Sequence, residues 1–239
     1  MSKFNILKFP NIIAHKGVTK YLAPENTCRS VQLVHELGFK GVEFDVQMTK
    51  DKNLVVYHDK SLNTLTNSFG NIYSKNYIHL KNIELNNIFS TKHYNIPTIK
   101  DVMNIVEEKN LFANIEIKSY CYKTGYDEEM VSKLVDNIVT NYSSRLDNIL
   151  FSSFSYRIIS FLDNYKNKIH YAPIDFSLKT LNKCKLKPSA FVYNWSYLDK
   201  NKLQFCKQSF CPLIIYGVSD GLHANHLLNL GVSSVIMDI

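Results

Sequence analysis

The stretch GVEFDVQMTKDKNLVVYHDK, residues 41–60, decides the fold. It contains two apolar, β-branched runs, and only seven residues lie between Val46 and Leu54, too few for a crossover helix. The spacing therefore predicts a β-hairpin in which 54–57 returns antiparallel to 41–46. Glu43 and Asp45 are two residues apart, so both side chains point to the same face of the strand. Two like charges on one face repel each other, which favours a metal site over a purely structural strand.

Apolar runs of the same kind recur along the chain and alternate with helical patterns. The predicted strands are 11–14, 41–46, 54–57, 111–117, 148–153, 169–173, 190–194, 213–218 and 233–237, and helical patterns cover 27–38, 98–110, 127–142 and 223–231. Alternation of this kind is typical of βα units around a parallel sheet. Once the hairpin arm 54–57 is set aside, eight strands remain. The pattern predicts an α/β fold, a TIM (β/α)8 barrel with a hairpin arm after its second strand. With 239 residues, 45% of them hydrophobic, residues 1–239 are expected to form a single catalytic barrel domain.

The composition excludes several classes of protein. The net charge is +7, but only three of the 28 basic residues are arginine and the lysines are scattered, so a nucleic-acid partner is not expected. No apolar run is long enough for stable membrane insertion, and the segment 1–17 has no signal-peptide pattern. The five cysteines form no CxxC pair and read as reduced thiols, so a cytoplasmic location is predicted. The oligomeric state is left open.

Polar residues follow the ends of several predicted strands. His15 ends the first strand, while Glu116 and Lys118 alternate with isoleucines at the end of "NIEIK". Because polar residues at the strand carboxyl ends of a βα barrel meet at one mouth, one site is expected to contain His15, Glu43, Asp45, His58, Glu116 and Lys118. Three carboxylates without a cysteine suit Mg²⁺ or Ca²⁺ better than zinc. Two histidines can act as acid and base, and a lysine suits a phosphate oxygen. This set predicts hydrolysis of a phosphodiester.

The same residues carry a resemblance to a known family. The order AHKG (14–17), PENT (24–27), EFD (43–45), VVYHD (55–59), IPT (96–98) and IEIK (115–118) resembles the glycerophosphodiester phosphodiesterase family. The resemblance implies a TIM barrel of the phospholipase-C-like phosphodiesterase type and a divalent metal, Mg²⁺ or Ca²⁺. It also implies cleavage of a small glycerophosphodiester to glycerol 3-phosphate and an alcohol, in glycerophospholipid breakdown.

The resemblance also implies roles for individual residues. It implies metal ligands at Glu43, Asp45 and Glu116, an acid/base pair at His15 and His58, and substrate-binding residues at Lys16, Lys118, Glu25, Asn26 and Tyr216. Three positions depart from the family pattern: Lys16 and Asn63 stand where arginine is usual, and Tyr216 replaces a tryptophan. Two alternatives stay open. One is phospholipase-D-like cleavage of lysophospholipids in the same fold, and the other is a non-catalytic phosphoester-binding barrel.

Overall fold

The strands of the protein form one sheet that closes almost completely on itself. The structure is a computed structural model that describes the chain except residues 1–6, 21, 87–91, 178, 181–183 and 210. The expectation that 1–17 is not a signal peptide therefore concerns a segment whose first six residues lie outside the described residues. The strands are β1 (Ile12–Ala14), β2 (Gly41–Met48), β3 (Leu54–Val56), β4 (Phe112–Ile117), β5 (Ile149–Ser153), β6 (His170–Pro173), β7 (Phe191–Asn194), β8 (Leu213–Val218) and β9 (Ser234–Met237).

Eight of these strands run parallel, in the order β6-β5-β4-β2-β1-β9-β8-β7. The two ends of this row are joined by a parallel bridge between Ile174, directly after β6, and Val192 in β7. The arrangement is a nearly closed barrel of eight parallel strands, and it confirms the predicted TIM-barrel fold.

Helices cover the outside of the barrel. They are α1 (Cys28–Glu36), α2 (Tyr77–Leu80), α3 (Ile99–Glu108), α4 (Tyr126–Asn141), α5 (Tyr156–Asp163), α6 (Lys200–Ser209) and α7 (Gly221–Asn229). Thr27 and Thr98 begin α1 and α3 with capping boxes, in which each threonine exchanges hydrogen bonds with the third helical residue. Among the described residues, no helix is both long and apolar enough to cross a membrane.

The hairpin after β2 is confirmed. β3 runs antiparallel to β2, and Val46, Gln47 and Met48 pair with Val56, Val55 and Leu54. The strand continues two residues beyond its predicted end, so the turn shortens to 49–53. Residues that follow the arm pack around a small core of their own, formed by Val55, Tyr57, Leu62, Ile72, Leu80, Leu85 and Ile96. This core holds the segment after β3 against the barrel mouth.

Apolar side chains fill the barrel below the mouth. Ile13, Leu150, Ala172, Ile214 and Ile236 belong to this inner cluster and are almost completely buried. Ile174, Val192 and Ile236 of the same cluster border the cavity that the polar residues of β2 and β4 line, so the barrel has an apolar floor under a polar mouth. All five cysteines are free thiols.

Candidate active site

Three buried carboxylates meet at the mouth of the barrel. Asp45 on β2 is in register with Glu116 on β4, and Glu43 lies two residues before Asp45 on the same strand face. One carboxylate oxygen from each residue can be chosen so that all three lie within 4.8 Å of one another. The residues are 2%, 1% and 9% exposed. This cluster could bind a metal ion.

Burial in this cluster shifts the acidities of its members. Burial, together with the charge of Asp45, raises the pKa of Glu43 to about 8. Burial also raises the pKa of Glu116 to about 7, although Lys118 opposes the shift. Burial alone would raise the pKa of Asp45, but the charges of Lys118 and His58 outweigh it and lower that pKa.

The donor set fits a hard divalent cation. Glu43 Oε1 is buried and has no hydrogen-bond partner among the described residues. Its other oxygen, Oε2, accepts a hydrogen bond of 2.9 Å from the backbone N–H of Lys16. A carboxylate that has an unpaired buried oxygen and belongs to a cluster of three carboxylates is stabilised by positive charge nearby, and an all-oxygen set suits Mg²⁺ or Ca²⁺.

Lys118 connects two members of the cluster. Its Nζ lies 3.0 Å from Asp45 Oδ1 and also pairs with Glu116 Oε1. Burial would lower the pKa of Lys118, but Asp45 and Glu116 outweigh it and raise that pKa. The lysine is therefore a fixed positive charge that lines the same cavity as Glu43 and Glu116.

His15 is held by Asp238, the residue that follows β9. Because β1 and β9 are neighbours, His15 follows β1 next to Asp238, and its Nδ1 lies 2.7 Å from Asp238 Oδ1. Its Nε2 lies 4.0 Å from Glu43 Oε2. Burial would lower the pKa of His15, but the hydrogen bond to Asp238 and the charge of Glu43 raise it to about 9. Two residues further, Gly17 has φ +80°, and a Cβ there would lie 2.5 Å from Ser30 Oγ, so this turn requires glycine.

His58 is held from two sides at the end of the hairpin. Its Nδ1 lies 2.6 Å from Asp59 Oδ1. Gln47, on the same strand face as Glu43 and Asp45, donates to the backbone carbonyl oxygens of Tyr57 and Asp59 at 2.8 Å and of His58 at 3.3 Å. The hairpin therefore delivers His58 to the cavity that His15 also lines.

The PENT residues lie behind the cluster. Asn26, which is 1% exposed, donates to Asp45 Oδ2 at 2.8 Å and accepts from the Asp45 backbone N–H at 3.0 Å. Glu25 pairs with Lys16 at 2.9 Å. The structure brings these three residues to the site, but their side chains contact protein groups and do not line the cavity. Their predicted contact with substrate stays a prediction.

The cavity has a volume of about 370 Å³ and one largely apolar wall. Phe154 and Tyr216 form this wall as an edge-to-face pair with ring centres 5.9 Å apart. The Tyr216 hydroxyl donates to Asp175 Oδ2 at 2.5 Å, which fixes the ring. Asn63, the third departure from the family pattern, does not line the cavity.

Sequence reasoning did not single out several residues that lie here. They are Asp238, Gln47, Asn114, Phe154 and Asp175. Asp238 carried a usable signal, since the polar residue after the last strand of a barrel must lie beside the polar residue after the first. Asn114 is the register partner of Glu43, and its Oδ1 is also buried without a partner among the described residues.

Comparison with known proteins identifies the family. The sequence model of the glycerophosphoryl diester phosphodiesterase family matches residues 15–239. The glycerophosphodiester phosphodiesterase of Bacillus altitudinis is 31% identical over 238 residues, which cover 95% of this chain and 94% of the relative. The protein of the same name from Caldanaerobacter subterraneus subsp. tengcongensis is 33% identical over 148 residues, which cover 61% of this chain and 58% of the relative.

Solved structures have the same fold. A phosphodiesterase of Oleispira antarctica, in complex with the product sn-glycerol-3-phosphate, matches with a TM-score of 0.80 and 22% identity, covering 96% of this chain and 93% of that one. A glycerophosphodiester phosphodiesterase of Parabacteroides distasonis matches with the same TM-score, identity and coverage. The chain therefore belongs to the glycerophosphoryl diester phosphodiesterase family and is an enzyme of the phosphodiesterase class.

Proposed function

We propose that the protein hydrolyses glycerophosphodiesters to glycerol 3-phosphate and an alcohol, as a step in glycerophospholipid breakdown. The observation that carries the proposal is a cluster of three buried carboxylates, two of which line one cavity together with a lysine and two carboxylate-held histidines. Family membership supports the same reaction. A non-catalytic barrel would have no need to hold both histidines and to bury three carboxylates with an unpaired oxygen.

Glu43, Asp45 and Glu116 would hold one divalent metal, Mg²⁺ or Ca²⁺. When bound, the metal would offset the repulsion among the carboxylates and stabilise negative charge on the phosphate. Lys118 would contribute a second positive charge to the same phosphate oxygens. Asn26 would keep Asp45 in place through its two hydrogen bonds.

The two histidines would divide the proton transfers. In each ring the Nδ1 is held by a carboxylate, Asp238 or Asp59, so the Nε2 is the atom left for the substrate. The raised pKa of His15, about 9, keeps this ring protonated near neutral pH, which suits the acid that protonates the leaving alkoxide. His58 would then accept the proton of the attacking hydroxyl or water.

A coupled assay for glycerol 3-phosphate tests the proposal. Purified protein is incubated with a panel of glycerophosphodiesters, with and without EDTA, and then with Mg²⁺ or Ca²⁺ restored. We expect turnover that EDTA abolishes and added metal restores. Lysophosphatidylcholine is included in the panel, because release of choline from it would favour the phospholipase-D-like alternative. Full activity after EDTA treatment and dialysis would refute the metal-dependent reaction, and binding without turnover would support the non-catalytic alternative.

A further inference from the structure

A second concave surface adjoins the catalytic cavity. It has a volume of about 640 Å³ and follows the loops after β4 and β5. Glu116, Lys118 and Phe154 line both the cavity and this surface, so the Phe154 ring stands between the two. We call this surface, whose characteristic residues are Tyr120, Tyr122, Phe154, Tyr156 and Arg157, the aromatic groove. Since a phosphodiester has two arms, a phosphate bound at Lys118 would leave one arm in the cavity and direct the other into the groove.

The groove is poorly suited to a cationic head group. Ammonium groups are held in proteins by carboxylates or by open aromatic faces. Glu116 is the carboxylate found among the described residues that line the groove, and it belongs to the proposed metal cluster. Two of the aromatic rings already have a lysine nearby: Lys118 Nζ lies 5.8 Å from the centre of Phe154, and Lys60 Nζ lies 5.9 Å from that of Tyr122.

The groove does offer hydrogen-bond donors beside apolar ring surfaces. Arg157 pairs through Nε with the buried Asp127 at 2.6 Å, and its side chain is 46% exposed. No other hydrogen bond of this guanidinium is found among the described residues, so both Nη groups can donate to a ligand. Tyr122, Phe154 and Tyr156 are 84%, 49% and 49% exposed, so their rings can pack against the carbon skeleton of a ligand. Hydroxyl groups on a carbon ring or chain match both features.

We propose that the aromatic groove binds the leaving alcohol and selects polyhydroxylated head groups, such as inositol or glycerol, over ammonium head groups such as choline or ethanolamine. This inference rests on the proposed function, because it concerns the second arm of the same substrate. The selectivity has an attractive and a repulsive part. Hydrogen-bond donors and ring surfaces favour a polyol head group, while the positive charges of Lys60, Lys118 and Arg157 disfavour an ammonium head group.

Initial rates over four substrates test this selectivity. The substrates are glycerophosphoinositol, glycerophosphoglycerol, glycerophosphocholine and glycerophosphoethanolamine, with metal saturating and glycerol 3-phosphate as the common product. We expect kcat/KM for the two polyol substrates to exceed that for the two ammonium substrates by at least about tenfold, the effect of one charge-assisted contact. Equal values, or a preference for choline, would overturn the proposal.

Variants localise the effect to the groove. Tyr122→Ala removes a ring that is 84% exposed, so folding should be unaffected. Arg157→Lys retains the positive charge beside Asp127 but loses the planar guanidinium with its paired Nη donors. We expect each to lower kcat/KM for glycerophosphoinositol by roughly three- to tenfold, mainly through KM, and to leave glycerophosphocholine within about twofold. Tyr197→Ala is the matched control, because this tyrosine is 59% exposed and follows β7, outside the groove. Equal losses for both substrates, or the same change of selectivity in the control, would refute the assignment.

A binding measurement separates this inference from the proposed reaction. Calorimetry on EDTA-treated protein compares the Kd of glycerophosphoinositol with that of glycerophosphocholine and needs no turnover. Tighter binding of the inositol compound, reduced by Tyr122→Ala, would support the groove even if no diester were hydrolysed. Turnover of every diester with equal Kd values would retain the proposed function and reject the groove.

Discussion

Replacement of Glu43 by glutamine should stabilise the metal-free protein and at the same time remove its response to metal. Glu43 is buried against Asp45, and its Oε1 has no hydrogen-bond partner among the described residues. Its ionisation is therefore unfavourable in the folded state, and its pKa rises from 4.5 to about 8. Glutamine has nearly the same shape, can still accept the hydrogen bond from the Lys16 N–H, and never ionises.

The sign and size follow from this shift. Because the folded-state pKa lies above the unfolded one, ionisation of Glu43 favours unfolding. Stability of the metal-free protein should fall as the pH rises from about 4.5 through about 8, and then level off. At about 1.4 kcal/mol per pKa unit, the loss is on the order of 5 kcal/mol, shared with the neighbouring carboxyl groups. Glu43→Gln should recover roughly half of this at pH 9 and little at pH 5.

Thermal unfolding in EDTA and in excess Mg²⁺ or Ca²⁺ measures both effects. For a chain of this length, a gain of about 2 kcal/mol raises Tm by roughly 4–8 °C, so Glu43→Gln should unfold above the wild type at pH 9 in EDTA. Metal at about 1,000 times its Kd should add about 4.1 kcal/mol to the wild type and little to the variant, which reverses the order of their stabilities. Glu128→Gln, in the exposed first turn of α4, is the charge-matched control and should behave as the wild type. A Glu43→Gln protein that is less stable at both pH values, or that gains as much from metal, would refute the reasoning.

Three further predictions concern the groups that hold the site. His15→Ala and His58→Ala should each lower kcat by roughly 10² or more. The double variant should be little worse than the worse single one, since the two histidines act as a unit. Near-wild-type kcat in either single variant would refute the acid/base roles of the two histidines. Asp238→Asn should lower the pKa of His15 from about 9, because the charged partner is lost. The alkaline limb of the kcat/KM–pH profile should therefore move to lower pH. An unchanged alkaline limb would show that His15 is not the acid. The histidine's contribution to stability, present below pH 6.5 and lost through about 9 in the wild type, should shrink in this variant. Asn26→Ala should cost about 2–3 kcal/mol in denaturant unfolding, because it removes two buried hydrogen bonds to Asp45, and a loss below about 0.5 kcal/mol would contradict this role.

The fold could be predicted because its strands are separated by segments of informative length. Seven residues after Val46 exclude a helix, and this single constraint reduces nine apolar runs to eight barrel strands with one hairpin arm. The helices α5 and α6 were not predicted from their own patterns. The eight residues of α5, YRIISFLD, do bury Ile158, Ile159 and Leu162 on one helical face, but the segment is short. The sequence of α6, KNKLQFCKQS, has few apolar positions and no clear helical period.

The positions of the candidate site residues could be predicted for the same reason, but most of the groups that contact them could not. His15, Glu43, Asp45 and Glu116 lie at strand ends, where the barrel fold fixes their meeting place. Asp238 reaches His15 across 223 positions of the sequence, so only the pairing of β9 with β1 in a closed barrel could indicate this contact. Gln47 shares a strand face with Asp45, but its amide acts on backbone carbonyl groups and so leaves no chemical pattern in the sequence. The PENT segment (24–27) indicated that its residues belong to the site, but not that Asn26 would contact Asp45 instead of the cavity.

The contacts around the site indicate how a bound cation would stabilise its carboxylates. Asp45 accepts one hydrogen bond from Asn26, donates another to it through its backbone N–H, and forms an ion pair with Lys118. Glu116 pairs with the same lysine. Glu43 receives one backbone hydrogen bond, while its Oε1 and the Oδ1 of its register partner Asn114 are buried acceptors without a donor among the described residues. Buried acceptors of this kind cost stability unless a donor or a cation meets them. The protein therefore retains a local instability at Glu43, and a cation bound there would convert this instability into affinity.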